Sequence, residues 1–316
     1  MSDAIADGHN AIMEAVGRCR PPVVVVEMLR NFGDVLHSTI VVRHIRKTES
    51  SRVVWAISSR YVEQFIHFLH DELGPHEIAG LPDLPAYPND ASGRISWVEE
   101  ARNIRGVERA FGCGVHPWGW RSGSIVDAVL ENAGVRSLAV ERTPWLPLGE
   151  EERSWARVFL AERGISRFIA VEHEAESVTG LTDDLLRMVS RRSKIPMLII
   201  GAKSSRMVPG SVDARGISFL QAKSLICTSS LFLGCASGLS VTAASNGCLV
   251  PVAEVAEPSL CMDAIGYLSP GRSHIKVRGR SAREQCSEIL DMICAPAAQA
   301  MRTSRRSAVL RRRHRR

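Results

Sequence analysis

Apolar residues in this chain come in short unbroken runs separated by longer stretches in which they recur every three or four positions, and the alternation persists from Pro21 to Pro251. Residues 23 to 26 are four valines after Pro21-Pro22. A β-branched run with no polar position is the pattern of a strand covered on both faces of a parallel sheet. From 35 to 47, Leu36, Ile40, Val41 and Ile45 fall near helical spacing, and 52 to 57 reads as a second buried strand. The three segments predict a β-α-β unit. A second helix is expected over 61 to 73, and a loop over 80 to 93, where Pro, Asp and Gly cluster. The first half continues through 107 to 115 and a helix over 124 to 133.

Pro144, Pro147 and Gly149 then punctuate the chain. Beyond them the pattern predicts a helix over 150 to 163, a strand over 168 to 171, a helix over 182 to 191, a strand over 197 to 200 and a short strand near Ser218. A helix over 221 to 228, a strand over 231 to 233, a turn at 234 to 238, a helix over 239 to 246 and a strand over 249 to 252 follow. Strands alternate with helices in both halves, which argues for an α/β protein made of two Rossmann-like domains with parallel sheets facing a central cleft. The expected divisions are an N-terminal extension (1–20), a first domain (21–149), a second domain (150–298) and a basic tail (299–316).

Composition fits this picture. A chain of 316 residues exceeds the roughly 250 at which single cores stop growing. Its 45% apolar and 23% charged content is that of a soluble globular protein, and no apolar run approaches the roughly 20 residues that cross a bilayer. Asp3, Asp7 and Glu14 interrupt the first residues, against a secretory signal, so a cytoplasmic protein is expected. The eight cysteines form no CxxC pair or metal-like spacing with His, and read as free thiols with no metal site. The net charge of +6 comes from the end of the chain: the segment 302 to 316 holds eight arginines and no acid, leaving the remainder at −2. Such a tail reads as a solvated end, with contact to anionic lipid at the inner face of the membrane as the sharper alternative and no fold for specific nucleic-acid binding beside it.

In an open α/β sheet, ligands gather beyond the carboxyl ends of the strands. Two segments have that placement. In the first, Gly33 permits a tight turn and Asp34 either caps the following helix or serves as a general base. In the second, Gly234-Cys235-Ala236-Ser237-Gly238-Leu239-Ser240 joins an apolar strand to a helix of small residues, which either packs closely or lets a phosphate approach the backbone. No Walker-type motif and no dinucleotide fingerprint is present. His116, Trp118 and Arg121 concentrate indole, imidazole and guanidinium in a chain with 5% aromatics. They read either as a core cluster or as an acceptor wall, since indoles stack on sugars and Arg grips anions.

Phe32-Gly33-Asp34-Val35-Leu36-His37-Ser38, with the block from Arg215 through Phe232-Leu233-Gly234 to Ser237-Gly238-Leu239-Ser240-Val241-Thr242-Ala243-Ala244 and Pro251, resembles glycosyltransferase family 9, the lipopolysaccharide heptosyltransferases. The resemblance implies the GT-B fold and an inverting transfer of a sugar, a heptose among the candidates, from a nucleotide sugar to a cell-surface glycan such as lipopolysaccharide core. It makes the nucleotide sugar a co-substrate, with no further cofactor and no metal. It implies Asp34 as the base, Ser237, Gly238, Leu239 and Ser240 on the donor, and Gly33 and His37 beside the acceptor. The family's block starts with Asp and carries His three residues after its glycine, where this chain has Ala236 and Val241. The family's phosphate-binding lysine is absent from Glu172-His173-Glu174-Ala175-Glu176-Ser177, leaving Lys203 and His173 as replacements. A noncatalytic relative that binds nucleotide or glycan, and a nucleotide-sugar epimerase, are the alternatives.

Overall fold

The computed structural model describes residues 2–28, 31–71, 77–82, 97–113, 125–135, 140–175, 181–255, 274–277 and 281–293. Within them lie two all-parallel sheets. The first is built from β1 (Val23–Met28), β2 (Arg52–Ser58), β3 (Ile78–Leu81) and β4 (Val107–Gly112), in the order β3-β2-β1-β4. The second is built from β5 (Ile169–Glu172), β6 (Met197–Gly201), β7 (Val212–Arg215), β8 (Leu231–Cys235), β9 (Val252–Val255) and β10 (His274–Val277), in the order β10-β9-β8-β5-β6-β7. In each sheet the strand that opens the domain is flanked on one side by its successor and on the other by a later strand. The chain reverses its winding there, and a crevice opens between β1 and β4 and between β5 and β8.

The valine run behaves as its composition demands: all six residues of β1 are buried. Helix α1 (Ser2–Arg18) packs Ile12, Ala15 and Val16 with Trp97 and Val98 of α4 (Trp97–Ala101) against one face of the first sheet. On the other face lies α2 (Phe32–Thr48), buried on nearly every side and in contact with α5 (Ile125–Asn132). Its polar interior residues are satisfied locally: the Ser38 and Thr39 hydroxyls donate to the Val35 and Leu36 carbonyls, and Ser38 accepts from the Trp55 indole at 2.9 Å. A helix buried on nearly every side is covered from two directions, and α2 is. It touches β1 and β2 on one side and α9 (Gly238–Ala244) of the second half on the other. One apolar core therefore runs from Val24 and Trp55 through Leu36 and Val41 to Leu239, Phe232 and Ile200. A separate core on the far face of the second sheet joins Val171, Ile199 and Leu233 to α7 (Asp183–Ser193) and α10 (282–293).

The connection between the halves is a strap fastened on both sides. On the first, Arg43 stacks 3.6 Å above the Trp145 ring and pairs with Glu141, while the Trp145 N–H donates to Thr39 Oγ1 at 2.9 Å. On the second, Lys223 of α8 (Phe219–Thr228), 1% exposed, donates its ammonium protons to the carbonyls of Leu146 and Asn246. The Leu146 N–H donates to Asn246 Oδ1 at 2.6 Å. Helix α6 (Glu150–Glu162) then carries the chain into the second half, with Glu152 at 3.0 Å from His67 across the junction.

Several expectations shift. The strand expected near Ser218 is β7, three residues earlier; Ser218 instead caps α8 in a reciprocal capping box with Gln221. The strand expected over 249 to 252 begins only at Val252, leaving Leu249 at 81% exposure. The helix expected over 61 to 73 is a 3-10 segment (Ser59–Phe65) followed by α3 (Ile66–Asp71). The stretch read as loop from Gly80 begins with two residues of β3, an edge strand.

Candidate functional site

The two sequence segments singled out above meet. Gly33 in the first turn of α2 and Gly238 at the start of α9 are in backbone contact. A Cβ on Gly33 would lie 3.1 Å from Gly238 Cα, and one on Gly238 would lie 3.2 Å from Gly33 N. Only residues without side chains let two helix ends approach this closely. Beside the contact, Phe32 stacks on Phe219 with ring centroids 3.6 Å apart and planes 8° from parallel, and the Phe219 N–H donates to Gln64 Oε1. Tyr61 meets the Phe32 ring edge-on, and Arg60 lies over Tyr61.

This junction closes one end of a cavity of about 670 Å³ between the halves. The first domain supplies Asn31, Phe32, Gly33, Arg60 and Tyr61 to its wall. The second supplies the loop ends after β5, β6 and β8, including Glu172, Gly201, Ser205, Ser237 and Gly238. The cavity thus occupies the crevice where the second sheet reverses its winding. Its volume lies in the range of small-molecule sites, and its wall joins an aromatic flank to a set of polar and charged groups.

Glu172 is the chemically distinctive member. It ends β5, is 4% exposed, and accepts at Oε2 from the Ser237 hydroxyl. Burial pushes its carboxyl up to about 8; the Ser237 hydrogen bond opposes this and the nearby Glu254 adds to it. Ser237 is fully committed: its oxygen accepts from the N–H groups of Leu239 and Ser240 while its proton goes to Glu172. Glu174, also in the wall, is held below the usual carboxylate range by Arg206, whose side chain and backbone N–H both donate to it.

Asp34 stands in the first turn of α2, half-buried, with Asn31 rather than Asp34 at the N-cap position. It does not line the cavity, although its neighbour Gly33 does. Gly238 and Leu239 line the cavity, as does Ser237; Ser240 is wholly buried behind them and donates to the Cys235 carbonyl. His37 is buried within α2 and is absent from the cavity wall. His173, expected at the donor phosphate, is completely buried instead, with Nδ1 3.0 Å from the Arg206 carbonyl and Nε2 3.2 Å from Asp183. It anchors loops outside the cavity. Lys203 is also turned away: its stem lies over Gly216, whose φ of 75° favours glycine, and its ammonium stands 3.7 Å from Asp213. His116, Trp118 and Arg121 lie outside the described residues, as does the Arg-rich tail. The sequence reading missed Arg60, Tyr61, Phe219 and Glu172 as wall residues. Only Glu172 left a signal, an acid closing an otherwise apolar strand run.

Among the described residues, no cluster of three or more His, Cys, Asp or Glu could hold a metal ion, and no helix is long and apolar enough to cross a membrane. The six cysteines among them form no disulfide.

This arrangement is a GT-B fold, and solved structures carry the same one. A family 9 glycosyltransferase from Veillonella parvula DSM 2008 superposes with a TM-score of 0.59 at 14% identity, over 84% of this chain and 90% of that one. E. coli ADP-heptose lipopolysaccharide heptosyltransferase II gives 0.59 at 12%, over 87% and 99%. The E. coli heptosyltransferase WaaC with ADP gives 0.53 at 12%, over 85% and 99%. No family model matches the sequence, and no curated protein matches it.

Proposed function

We propose that this protein is an inverting glycosyltransferase that moves a sugar from a nucleotide-sugar donor to a cell-surface glycan, of which lipopolysaccharide core is the leading candidate. One observation carries the reading: the Gly33–Gly238 contact brings the opening motif and the donor-block motif, far apart in sequence, to one end of a single interdomain cavity. The structures that share the fold include heptosyltransferases, one of them holding ADP.

In this reading the donor occupies the second-domain side, against Ser237, Gly238 and Leu239, and the acceptor lies on the first-domain side, against Gly33. Asp34, one residue further into α2, takes the proton of the acceptor hydroxyl as its oxygen attacks the sugar carbon opposite the departing diphosphate. Attack from that side inverts the carbon. Holding both substrates in line supplies part of the acceleration, and excluding water strengthens the electrostatic contacts to the departing diphosphate. The reaction is proposed to need no metal, and the enzyme to work at the inner face of the membrane, where the basic tail meets anionic lipid.

Transfer from a panel of ADP-, GDP-, UDP- and CDP-sugars to deacylated lipopolysaccharide core is the test. Removing a general base costs about 10²–10⁴ in rate, so Asp34→Ala is expected to lose transfer by that factor while keeping nucleotide affinity. Full transfer by Asp34→Ala would remove the assigned base, and donor conversion without acceptor would point instead to an epimerase.

A further inference from the structure

Where the family resemblance places a phosphate-binding basic residue, this chain has a buried carboxyl. Glu172 closes β5 at the crevice between β5 and β8, the position at which doubly wound sheets receive a ligand's phosphates. Its Oε2 is occupied by the Ser237 hydroxyl and approached by Cys235 Sγ at 3.9 Å. Oε1 has no hydrogen-bond partner among the described residues, and Glu172 lines the cavity. Oε1 is not closed off from solvent, so a ligand in the cavity can reach it directly.

We infer, on the proposed nucleotide-sugar reading, that Glu172 is held as a neutral carboxylic acid and donates a hydrogen bond from Oε1 to the donor diphosphate, so that raising the pH weakens donor binding. The surroundings support a neutral acid. From β8 it faces Cys235, from β9 the fully buried Glu254, and from the start of α9 the Ser237 hydroxyl; none of these is a cation. Arg60 lies on the opposite wall, and Glu174 on the same loop is engaged by Arg206. Two buried carboxyls on one sheet cannot both ionise cheaply. The single proton of Ser237 is directed at Oε2, which leaves Oε1 as the atom to carry the acid proton into the cavity. A neutral acid attracts a diphosphate, whereas the carboxylate repels it.

With a titration near 8, the protonated fraction falls about tenfold between pH 7 and pH 9. Calorimetry with ADP, GDP, UDP and CDP at both values is the test, using the full chain and Glu172→Gln, which keeps the shape and retains a donor. The diphosphate that binds wild type is expected to lose about tenfold in affinity from pH 7 to pH 9. Glu172→Gln is expected to show no such loss, and the corresponding nucleoside to show none with either protein. A flat wild-type profile, the same loss in Glu172→Gln, or the same loss with the nucleoside would overturn the inference. Infrared difference spectra between wild type and Glu172→Gln at pH 7 provide a readout without nucleotide. A protonated-carboxyl band is expected, and its absence overturns the neutral acid. Presence of the band together with no nucleotide binding at either pH overturns the diphosphate role and, separately, the nucleotide reading of the cavity.

Discussion

Replacing Gly33 by alanine tests whether the two halves really meet through bare backbone. The added methyl would sit 3.1 Å from Gly238 Cα, 3.4 Å from Gly238 N and 3.5 Å from Val241 Cγ2. Two of these are backbone atoms of a helix whose other residues are buried, so relief requires α2 and α9 to separate by a few tenths of an ångström. Overpacking of this kind costs about 1–3 kcal/mol. Losing a helical glycine returns about 1 kcal/mol, so Gly33→Ala is expected to destabilise by up to about 2 kcal/mol. Gly17→Ala is the control. It lies exposed in α1 with nothing within 4 Å of the new methyl and should stabilise by about 0.4–1 kcal/mol. Urea unfolding followed by tryptophan fluorescence would measure both. Combining Gly33→Ala with Gly238→Ala should cost less than the sum of the two, because the first methyl already parts the helices. A Gly33→Ala protein as stable as Gly17→Ala, or strict additivity with Gly238→Ala, would refute the contact.

Other expectations follow from buried polar groups. Lys223→Met should cost about 2–4 kcal/mol in urea unfolding, since it strips the carbonyls of Leu146 and Asn246 of their donor; a neutral outcome would mean that the strap does not depend on this ammonium. Glu27, buried at the end of β1, is pushed up to about 7 by burial, against a backbone hydrogen bond from Val98. The native state therefore holds a proton that the unfolded chain has released. The associated stability is fully present below about pH 4.5 and is lost as pH rises through about 7. Glu27→Gln should lack that loss and gain on wild type between pH 4.5 and pH 8 by up to about 3 kcal/mol; parallel pH profiles of unfolding free energy would contradict it.

How much of this was legible in the sequence depends on burial. The central strands announced themselves because a strand covered on both faces has no polar position: the valines of β1 and the run preceding Glu172 leave no other reading. Edge strand β3 escaped because only Ala79 and Leu81 of its four residues are buried and Gly80 gives it the composition of a turn. Leu249 misled for the opposite reason, being apolar yet exposed. At the cavity, Gly33 and Ser237-Gly238 were visible because close backbone approach restricts residue type. Phe219 and Tyr61 were not, since an aromatic beside a cleft and one in a core look alike until the halves are docked. His173 and Lys203 illustrate the converse. Both flank the right strands, and both are drawn off by acids, Asp183 and Asp213, that no local pattern connects to them.

The most direct test of sugar transfer at this cavity is acceptor-dependent release of nucleoside diphosphate. The full chain would be incubated with each nucleotide sugar, with and without deacylated lipopolysaccharide core. The expected result is that one donor yields free diphosphate together with a glycosylated acceptor detected by mass spectrometry, and that omitting the acceptor abolishes both. Binding of nucleotide without product from any donor–acceptor pair, or release that ignores the acceptor, would contradict it.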